Sequence, residues 1–528
     1  MRKKCGCIQE QGPSDCPRHQ SARWEPGRLI LAAVLVFLGL LLPACSASKV
    51  VLNEADLRDR IYACWLGKNI GGTLGMPFEG KKEAHNITFY TNLKAGEPAA
   101  NDDLDLQILW LKAMEEHASS VDARILGEYW LKYVPVDWNE YGIGKANMKL
   151  GLLPPLSGEY NNQQWKHSNG AWIRSEIWAC LAPGDPALAA KMAREDACVD
   201  HGAAEGTLAE IFTASLESAA FVEPDRDKLI AFGLSMIPES SGVARAVRAA
   251  VQAKHAGKDW LQAREDVIRA TEDTGWFQAP RNVAFTMIGW LYGDGDFGKS
   301  ICTAVNCGDD TDCTGATLAS ILGIIGGTKA IPARWREPIG DKIKTVAVAG
   351  FPIPQDLNEL TDRTLAMSKK VLTLHGDPII IAGRATDLRG AARLLASGPA
   401  DVRALWRISP YQVVWTEPDL QVTLDYRQDP VIQPNTVRTI GVAVLARSEA
   451  AKTVRIELQD IPKGWQVAGL PDEPTALAQN LARSYELTFA ASEVKAGANR
   501  MTLQITGGAK PVSVPLTLMG SASAKAGM

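Results

Sequence analysis

The sequence predicts a multi-domain chain, with an all-α domain over residues 50–375 followed by a C-terminal all-β immunoglobulin-like sandwich over 415–520. Three observations predict it. Between Asn53 and Val371 apolar residues recur every three or four positions, the period of a helix face. After His375 the period drops to two, and neither Cys nor His occurs again. Within the helical part, two aspartate-rich clusters each open an apolar run, which marks helix starts that carry chemistry. The 528 residues suffice for two or more domains, and 46% hydrophobic with 22% charged residues is an ordinary globular balance. A formal charge of -4 gives no electrostatic footprint for a nucleic-acid partner.

Residues 1–45 read as a targeting segment. Arg23 and Arg28 precede the apolar run Leu29 to Leu42, which falls short of the ~20 residues of a membrane span and fits a signal-peptide core. Leu42-Pro43-Ala44-Cys45-Ser46 resembles a bacterial lipoprotein cleavage site, with Cys45 as the lipidated residue and membrane anchor. The expectation is an exported, membrane-attached lipoprotein on the periplasmic or cell-surface side; a plain signal anchor is the alternative. Cys64, Cys180, Cys198, Cys302, Cys307 and Cys313 lack paired zinc spacing and are expected to be buried thiols.

Leu57, Ile61, Cys64 and Trp65 start the helical domain, and Leu126, Trp130 and Tyr133 continue its pattern. Further runs cover Pro186 to Phe221 and Val243 to Thr271, around a long loop from Tyr141 to Gln164. One large helical bundle fits this arrangement.

The stretch Asn306-Cys-Gly-Asp-Asp-Thr-Asp-Cys-Thr-Gly-Ala316 runs into the apolar segment Thr317 to Ile325. A helix N-terminus favours carboxylates, but Asp309, Asp310 and Asp312 are more negative charge than capping needs. Clustered carboxylates raise one another's pKa unless a cation or proton is shared. Asn101-Asp102-Asp103-Leu104-Asp105 opens a second helix, Leu104 to Met114, in the same way. Two such starts facing each other would hold one or two divalent ions, and hard oxygen ligands select magnesium, calcium or manganese. The plainer alternative is a pair of helix caps with solvated turns.

In these residues the chain resembles the ADP-ribosylglycohydrolases. That family carries Thr-Asp-Asp near its N-terminus and Asn-x-Gly-Gly-Asp-Thr-Asp-Thr/Ser near the domain's end; here the matching residues are Asn101 to Asp103 and Asn306 to Cys313. Arg60 to Glu79 is similar to the family's opening helix, and Ser168-Asn169-Gly170-Ala171 to its substrate-contacting loop. The resemblance spans roughly Leu52 to Val371. Asn101 stands for the usual Thr, Asp309 for the second Gly, Cys313 for a hydroxyl, Gly72 for an Asp, and Thr73 for a smaller residue, commonly Ala.

The resemblance implies a glycosidase, an ADP-ribosylglycohydrolase-like hydrolase, using two Mg2+ ions, with Mn2+ as a possible substitute. It implies metal ligands at Asn101, Asp102, Asp103, Asp310, Asp312 and Cys313, with Asp309 or Thr314 as alternative donors because a thiol suits magnesium poorly. Catalytic roles fall to Glu79, Asp103 and Asp310, and substrate contacts to Ser168, Asn169, Gly170 and His201, with a satisfied buried histidine as the alternative for His201. The expected substrate is ADP-ribose or a related ribofuranoside. One alternative is an extracellular furanosidase acting on a glycan or nucleoside; another is an inactive binding or structural protein on the same scaffold. Trp138, Trp165, Trp172 and Trp276 are either sugar-stacking or core residues.

Residues 376–414 read as a connector. Antiparallel strands are expected at Gln421–Tyr426, Thr439–Ala446, Lys452–Gln459, Tyr485–Ala490, Asn499–Thr506 and Val512–Met519, followed by a disordered tail over 521–528. The β region lacks clustered acids, so its expected work is packing, spacing or carbohydrate contact.

Overall fold

The computed structural model describes residues 49–521, apart from 273, 274, 276, 377 and 449–451. The targeting segment with Cys45, Trp276 and the tail beyond 521 lie outside the described residues. Among those described, no helix is long and apolar enough to cross a membrane.

The helical region is organised around two helices, the opening helix Glu54–Gly75 and the central helix Thr311–Gly326. Each carries small residues every fourth position: Gly67, Gly71 and Gly75 on one, Gly315, Ala319 and Gly323 on the other. A methyl group at Gly67, Gly71 or Gly75 would collide with the backbone carbonyl of Ala319, Gly315 or Thr311 respectively. The backbones therefore touch, closer than larger side chains would allow. Ser320 Oγ donates to Cys64 O at 3.1 Å and Thr311 Oγ1 to Gly75 O at 2.8 Å, so hydroxyls fasten the contact near both ends.

Other helices wrap this pair. The acid helix Asp102–His117 is capped by Asn101, whose side chain accepts from Asp103 N. The run expected from Pro186 to Phe221 is two helices, Pro186–His201 and Glu205–Ala220, broken at Gly202, whose φ of 58° favours glycine. Likewise Val243 to Thr271 divides into Gly242–His255 and Trp260–Ala270, with Asp259 as a capping-box residue between them. All six described cysteines are free and buried.

The strands are β1 (Val50–Asn53), β2 (Ile379–Ala382), β3 (Gln412–Thr416), β4 (Leu420–Asp425), β5 (Val431–Ile432), β6 (Val437–Ala446), β7 (Lys452–Gln459), β8 (Trp465–Ala468), β9 (Thr475–Leu477), β10 (Arg483–Ala491), β11 (Gly497–Thr506) and β12 (Val512–Gly520). The six strands expected from sequence are present as β4, β6, β7, β10, β11 and β12. Shorter ones complete two five-stranded sheets, ordered β3-β4-β6-β10-β8 and β5-β12-β11-β7-β9. One pairing departs from the antiparallel expectation: β5 runs parallel to β12. Alternating burial along β4 and β6 turns one face of each strand into an apolar core to which both sheets contribute.

The 376–414 stretch is more than a tether. β2 pairs in parallel with β1, joining the two ends of the helical region. The helix Ala391–Val402 follows, and Trp406 Nε1 donates to Met236 O at 3.0 Å. The stretch expected as a loop from Tyr141 to Gln164 instead carries the helices Asn139–Lys149 and Leu156–Glu159, and its Leu152 and Leu156 are buried among the β-region residues, so the two regions share a core. Arg500 on β11 donates through Nε to Leu150 O at 3.2 Å and through Nη2 to Lys149 O.

The glycine contact yields a testable pair. Gly71→Val, which must part the two helices, is expected to lower stability by about 3 kcal/mol or more. Gly383→Val, where a side chain meets nothing within 4 Å, is expected to be close to neutral in the same thermal melts. Equal melting points for the two variants would refute the close packing.

Candidate active site

The crossing of the two glycine-lined helices brings both aspartate clusters to one place. The central helix presents Asp312 and Cys313 in its first turn, and the acid helix presents Asp102 and Asp103. Two groups of ligand-capable atoms result, each spanning less than 4.8 Å: Asp103, Asp312 and Cys313, and Glu79, Asp310 and Asp312. Asp312 belongs to both. It lies at the floor of a cleft of about 380 Å³, which Glu79, Asp102, Asn169, Asp310 and Trp138 also line.

The expected metal ligands do not all stand alike. Asn101 spends its oxygen on capping Asp103 N at 2.9 Å and its Nδ2 on Asp312 Oδ2 at 3.2 Å. Asp102 Oδ2 accepts from Tyr141 OH at 2.8 Å, and Asp102 belongs to neither close group. Cys313 Sγ lies 3.4 Å from Asp103 Oδ1, donating to it. Asp309 is engaged outside the two close groups: Oδ1 accepts from Phe277 N at 3.3 Å and Oδ2 lies 3.7 Å from Arg281. Its φ of 67° explains why glycine suits this position. Thr314 Oγ1 is bound to Thr311 O at 3.2 Å. Asp309 belongs to neither close group of ligand-capable atoms, and the Thr314 hydroxyl donates within its own helix.

Two departures from the family pattern explain each other. A Cβ at Gly72 would lie 2.7 Å from Asn101 Nδ2, so the Asn101 side chain fills space that an Asp at 72 would need.

Several residues that sequence reasoning passed over complete the surroundings. Lys68 is buried on the opening helix, its ammonium 2.6 Å from Glu176 Oε1 and 3.4 Å from Asp103 Oδ2, and donates to Thr317 Oγ1. Its signal was a lone lysine among the glycines of a buried helix face. Gln107 ties Glu176 Oε2 at 2.9 Å back to Asp103 O at 2.8 Å. Asp105 accepts from Val346 N and Ala347 N, both at 2.6 Å, and so fixes a loop at the cleft edge. Glu140 lines the cleft wall beside Gly170.

The Ser168-Asn169-Gly170 loop is held from behind. Asn169 Nδ2 donates to Asp310 Oδ2 at 2.6 Å, and Trp172 Nε1 donates to Asn169 Oδ1 at 2.9 Å, so Trp172 is a core residue that aims the amide. Ser168 Oγ lies 3.1 Å from His201 Nε2, and His201 Nδ1 lies 2.8 Å from Asp200 Oδ1. Asp200 in turn receives Arg174 Nη2 at 2.8 Å. His201 is wholly buried and outside the cleft lining, so it positions Ser168 and does not reach substrate in this conformation. Trp138 and Trp165 line the cleft and are not fully buried, which departs from core packing, the default expectation for each.

Electrostatics follow from burial. Burial, then the charge of neighbouring Asp310, pushes Asp312 well above the usual carboxylate range. Burial raises Asp103 well above that range too, against the opposing pull of Lys68. Asp310 is pushed up to about 6 by burial, which outweighs its hydrogen bonds from Cys313 and Asn169. Glu79 stands at the exposed rim, yet its carboxyl lies against Asp310 and Asp312; desolvation there, then the charges of Asp310 and Asp102, push it up to about 7. Burial chiefly raises the Cys313 thiol as well, with Asp103 next. Asp312 Oδ1 is buried without a hydrogen-bond partner, and Asp103 Oδ2 has only its ion pair with Lys68. Orphaned carboxylate oxygens of this kind fit a hard divalent cation. The all-oxygen group Glu79, Asp310 and Asp312 fits it well. The group containing Cys313 fits it less well, because a thiol is soft.

Residues 53–371 match the family model for ADP-ribosylglycohydrolase. A solved structure described as an ADP-ribosylglycohydrolase-related protein complex is 21% identical, covering 60% of this chain and 99% of its own, with a TM-score of 0.42. No curated protein matches the chain.

The raised carboxyls fix the sign of a pH effect. Folded Asp310, Asp312 and Glu79 hold protons at pH values where the unfolded chain, near pKa 4, has lost them. Without divalent ions, the contribution of these three groups to stability is therefore full below about pH 4 and is lost as pH rises through about 7. Saturating magnesium is expected to flatten that fall, since the ion replaces the lost protons. Melting curves in chelator and in magnesium from pH 5 to 8 check this; identical slopes would count against a cation site. In titration calorimetry Cys313→Ser is expected to keep or raise magnesium affinity severalfold, and a large loss would show that the thiol itself is required.

Proposed function

The chain belongs to the ADP-ribosylglycohydrolase family, and from that premise we propose that it is a divalent-metal-dependent hydrolase of a ribofuranosidic bond, in ADP-ribose or a related ribofuranoside. The observation that supports this most is Asp312, shared between two groups of ligand-capable side chains at the floor of a cleft. Glu79, Asp310 and Asp312 would hold magnesium, with manganese as a substitute; Asp103, Asp312 and Cys313 would form a weaker second position. When bound, such an ion supplies Lewis-acid polarisation and orients the sugar hydroxyls.

The chain's own groups carry the rest. Hydrolysis breaks the bond between the anomeric carbon and the leaving atom, oxygen in an O-riboside and nitrogen in an arginine adduct. Water oxygen bonds to that carbon, one water proton is taken up by a carboxylate, and the leaving atom receives a proton from a protonated carboxyl group. Positive charge builds on the sugar ring during cleavage, and the ring of carboxylates around Asp310 lowers the energy of that charge. Glu79, at the rim and pushed up to about 7, can hold or release a proton near neutrality. It serves as third ligand or as proton carrier, one role at a time. Asn169 keeps Asp310 aimed into the cleft at 2.6 Å.

The chain is further proposed to be exported and anchored through Cys45, as its targeting segment indicates; absence of radiolabelled palmitate incorporation would exclude the anchor. The two-sheet region is proposed to be an immunoglobulin-like module that braces the catalytic part.

Hydrolysis of ADP-ribosylated arginine and of nitrophenyl ribofuranoside, each with magnesium or chelator, tests the reading. Asp310→Ala is expected to lower kcat/KM at least 10³-fold. Glu79→Gln is expected to lower kcat by roughly 10²-fold, within the range for a lost acid-base group, with little change in KM. Turnover unaffected by chelator would defeat the metal-dependent mechanism.

A further inference from the structure

A strand at the end of a sheet presents every second backbone N–H and C=O to whatever lies beside it, and proteins usually cover, bend or charge such an edge. β3 ends its sheet and pairs with β4 alone. Two bonds set its phase: Glu417 N donates to Leu420 O at 2.8 Å, and Tyr426 N to Tyr411 O at 2.9 Å. Residues 411, 413, 415 and 417 therefore bond across to the β4 side, while Gln412, Val414 and Thr416 turn their N–H and C=O groups the other way. The Gln412 amide closes a turn on Ser409 O at 3.2 Å. Outside the ladder, nothing among the described residues accepts from the Val414 or Thr416 amide.

Those same three residues, and neither Val413 nor Trp415, line a second cleft of about 790 Å³ between the sheet region and the helical region. The helical side contributes Arg124 and Leu126 from the helix Ala123–Tyr133, with Lys191 and Met192 from Pro186–His201. A strand as long as β3, at ~3.4 Å per residue, ~4.8 Å between strands and ~10 Å between packed layers, occupies about 800 Å³. The helices thus stand back from the edge by the volume of one more strand. Val414, 40% exposed, and the half-buried Met192 give that space apolar surface.

Its charge selects among occupants. Arg124, Lys191, Arg194 and Arg447 line the cleft, against Asp122, Glu195 and Glu417. Each acid already receives a donor: Asp122 Oδ1 takes Ile125 N at 2.9 Å, Glu195 Oε2 takes Ala123 N at 3.0 Å, and Glu417 Oε1 takes Trp415 Nε1 at 3.0 Å. The cations are less committed. Only Arg194 is paired with an acid of the cleft, Glu195, at 3.2 Å. Lys191 is exposed and makes no ion pair among the described residues. Arg447 donates to a carbonyl, Glu417 O, at 3.0 Å. Arg124 lies over the Trp415 ring at 4.7 Å and reaches Glu128 at 2.7 Å, yet its Nε is buried without a hydrogen-bond partner.

From this we propose that the cleft beside β3 binds an extended acidic peptide segment, which adds to the sheet as a sixth strand. The Val414 and Thr416 backbone groups supply the pairing, as in other strand-addition sites. Arg124, Lys191 and Arg447 take carboxylates on the peptide, and Val414 and Met192 take an apolar side chain. This is an interaction site separate from the aspartate cleft, and it does not depend on the hydrolase reading.

The test uses the full chain and a fluorescein-labelled peptide of alternating valine and glutamate, about as long as β3, beside its valine–lysine counterpart. In fluorescence anisotropy at low salt the acidic peptide is expected to bind at least tenfold more tightly, and to weaken as salt rises. Bound peptide is expected to slow hydrogen exchange in the 412–416 segment at least fivefold. Val414→Pro removes an outward amide without a ladder bond, and is expected to weaken binding fivefold or more. Lys191→Glu, a surface change that leaves the strand intact, is expected to weaken it threefold or more while magnesium affinity stays unchanged. Equal binding of the two peptides, no binding of the acidic one, or unchanged exchange at 412–416 would each overturn the proposal. So would binding of a polyuronate but not the peptide, which would assign the cleft to an anionic glycan. Self-association of the chain that Val414→Pro abolishes would likewise overturn it, by giving the edge to a second copy.

Discussion

The rest of the structure depends on the backbone contact between the opening and central helices. Glycine on both sides removes the side chains that normally keep helices 8–10 Å apart. At this range a change of one methyl group displaces a helix, and with it the first turn carrying Asp312 and Cys313. The Thr311 hydroxyl on Gly75 O lies at the same end of the contact, where the opening helix leads into Glu79. Ligand geometry at a divalent-ion site would tolerate errors of only a few tenths of an ångström, a demand that a frame this stiff would meet.

Gathering carboxylates in a dry interior opposes folding, and the chain offsets only part of that cost. Lys68 balances Asp103 and Glu176, and Arg174 balances Asp196 and Asp200. Asp200 shows how far pairing can go: burial would raise it, yet Arg174 and His201 bring it down to about 2. Asp312 has no such partner and stays well above the normal range. The contrast separates acids that belong to the scaffold from an acid left for a ligand. A buried group held away from its ordinary pKa is a mark of a functional site when, as here, it also borders a cleft.

The sheet region enters this picture through one wall. Helix Asn139–Lys149 carries Glu140 and Tyr141 into the cleft at its start, and its last carbonyl is held by Arg500 at its end. The loop that follows buries Leu152 and Leu156 in the β-region core. The division into a chemical domain and an accessory one, natural from composition, is therefore incomplete. A segment of the helical region contributes to the sheet-region core, and the sheet region holds the helix that forms one wall of the cleft.

Sequence alone determined the helical class, the six principal strands and the two aspartate clusters, because period and helix-start chemistry are local properties of a few neighbouring residues. Asp310 and Asp312 were expected as metal ligands and Glu79 as a catalytic acid through resemblance to a family; only the structure sets the three within 4.8 Å of one another. What only the tertiary structure decided depends on partners distant in the chain. Asn101 became a cap braced on Asp312, 211 residues away, where sequence allowed a ligand. His201 became a support for Ser168, because burial removes it from the cleft. Lys68 and Glu140 gained their meaning from what folding set against them: for Lys68 two buried acids, for Glu140 the backbone of Gly170. A residue type states which interactions a side chain can make; the packed fold decides which of them remain available to a ligand.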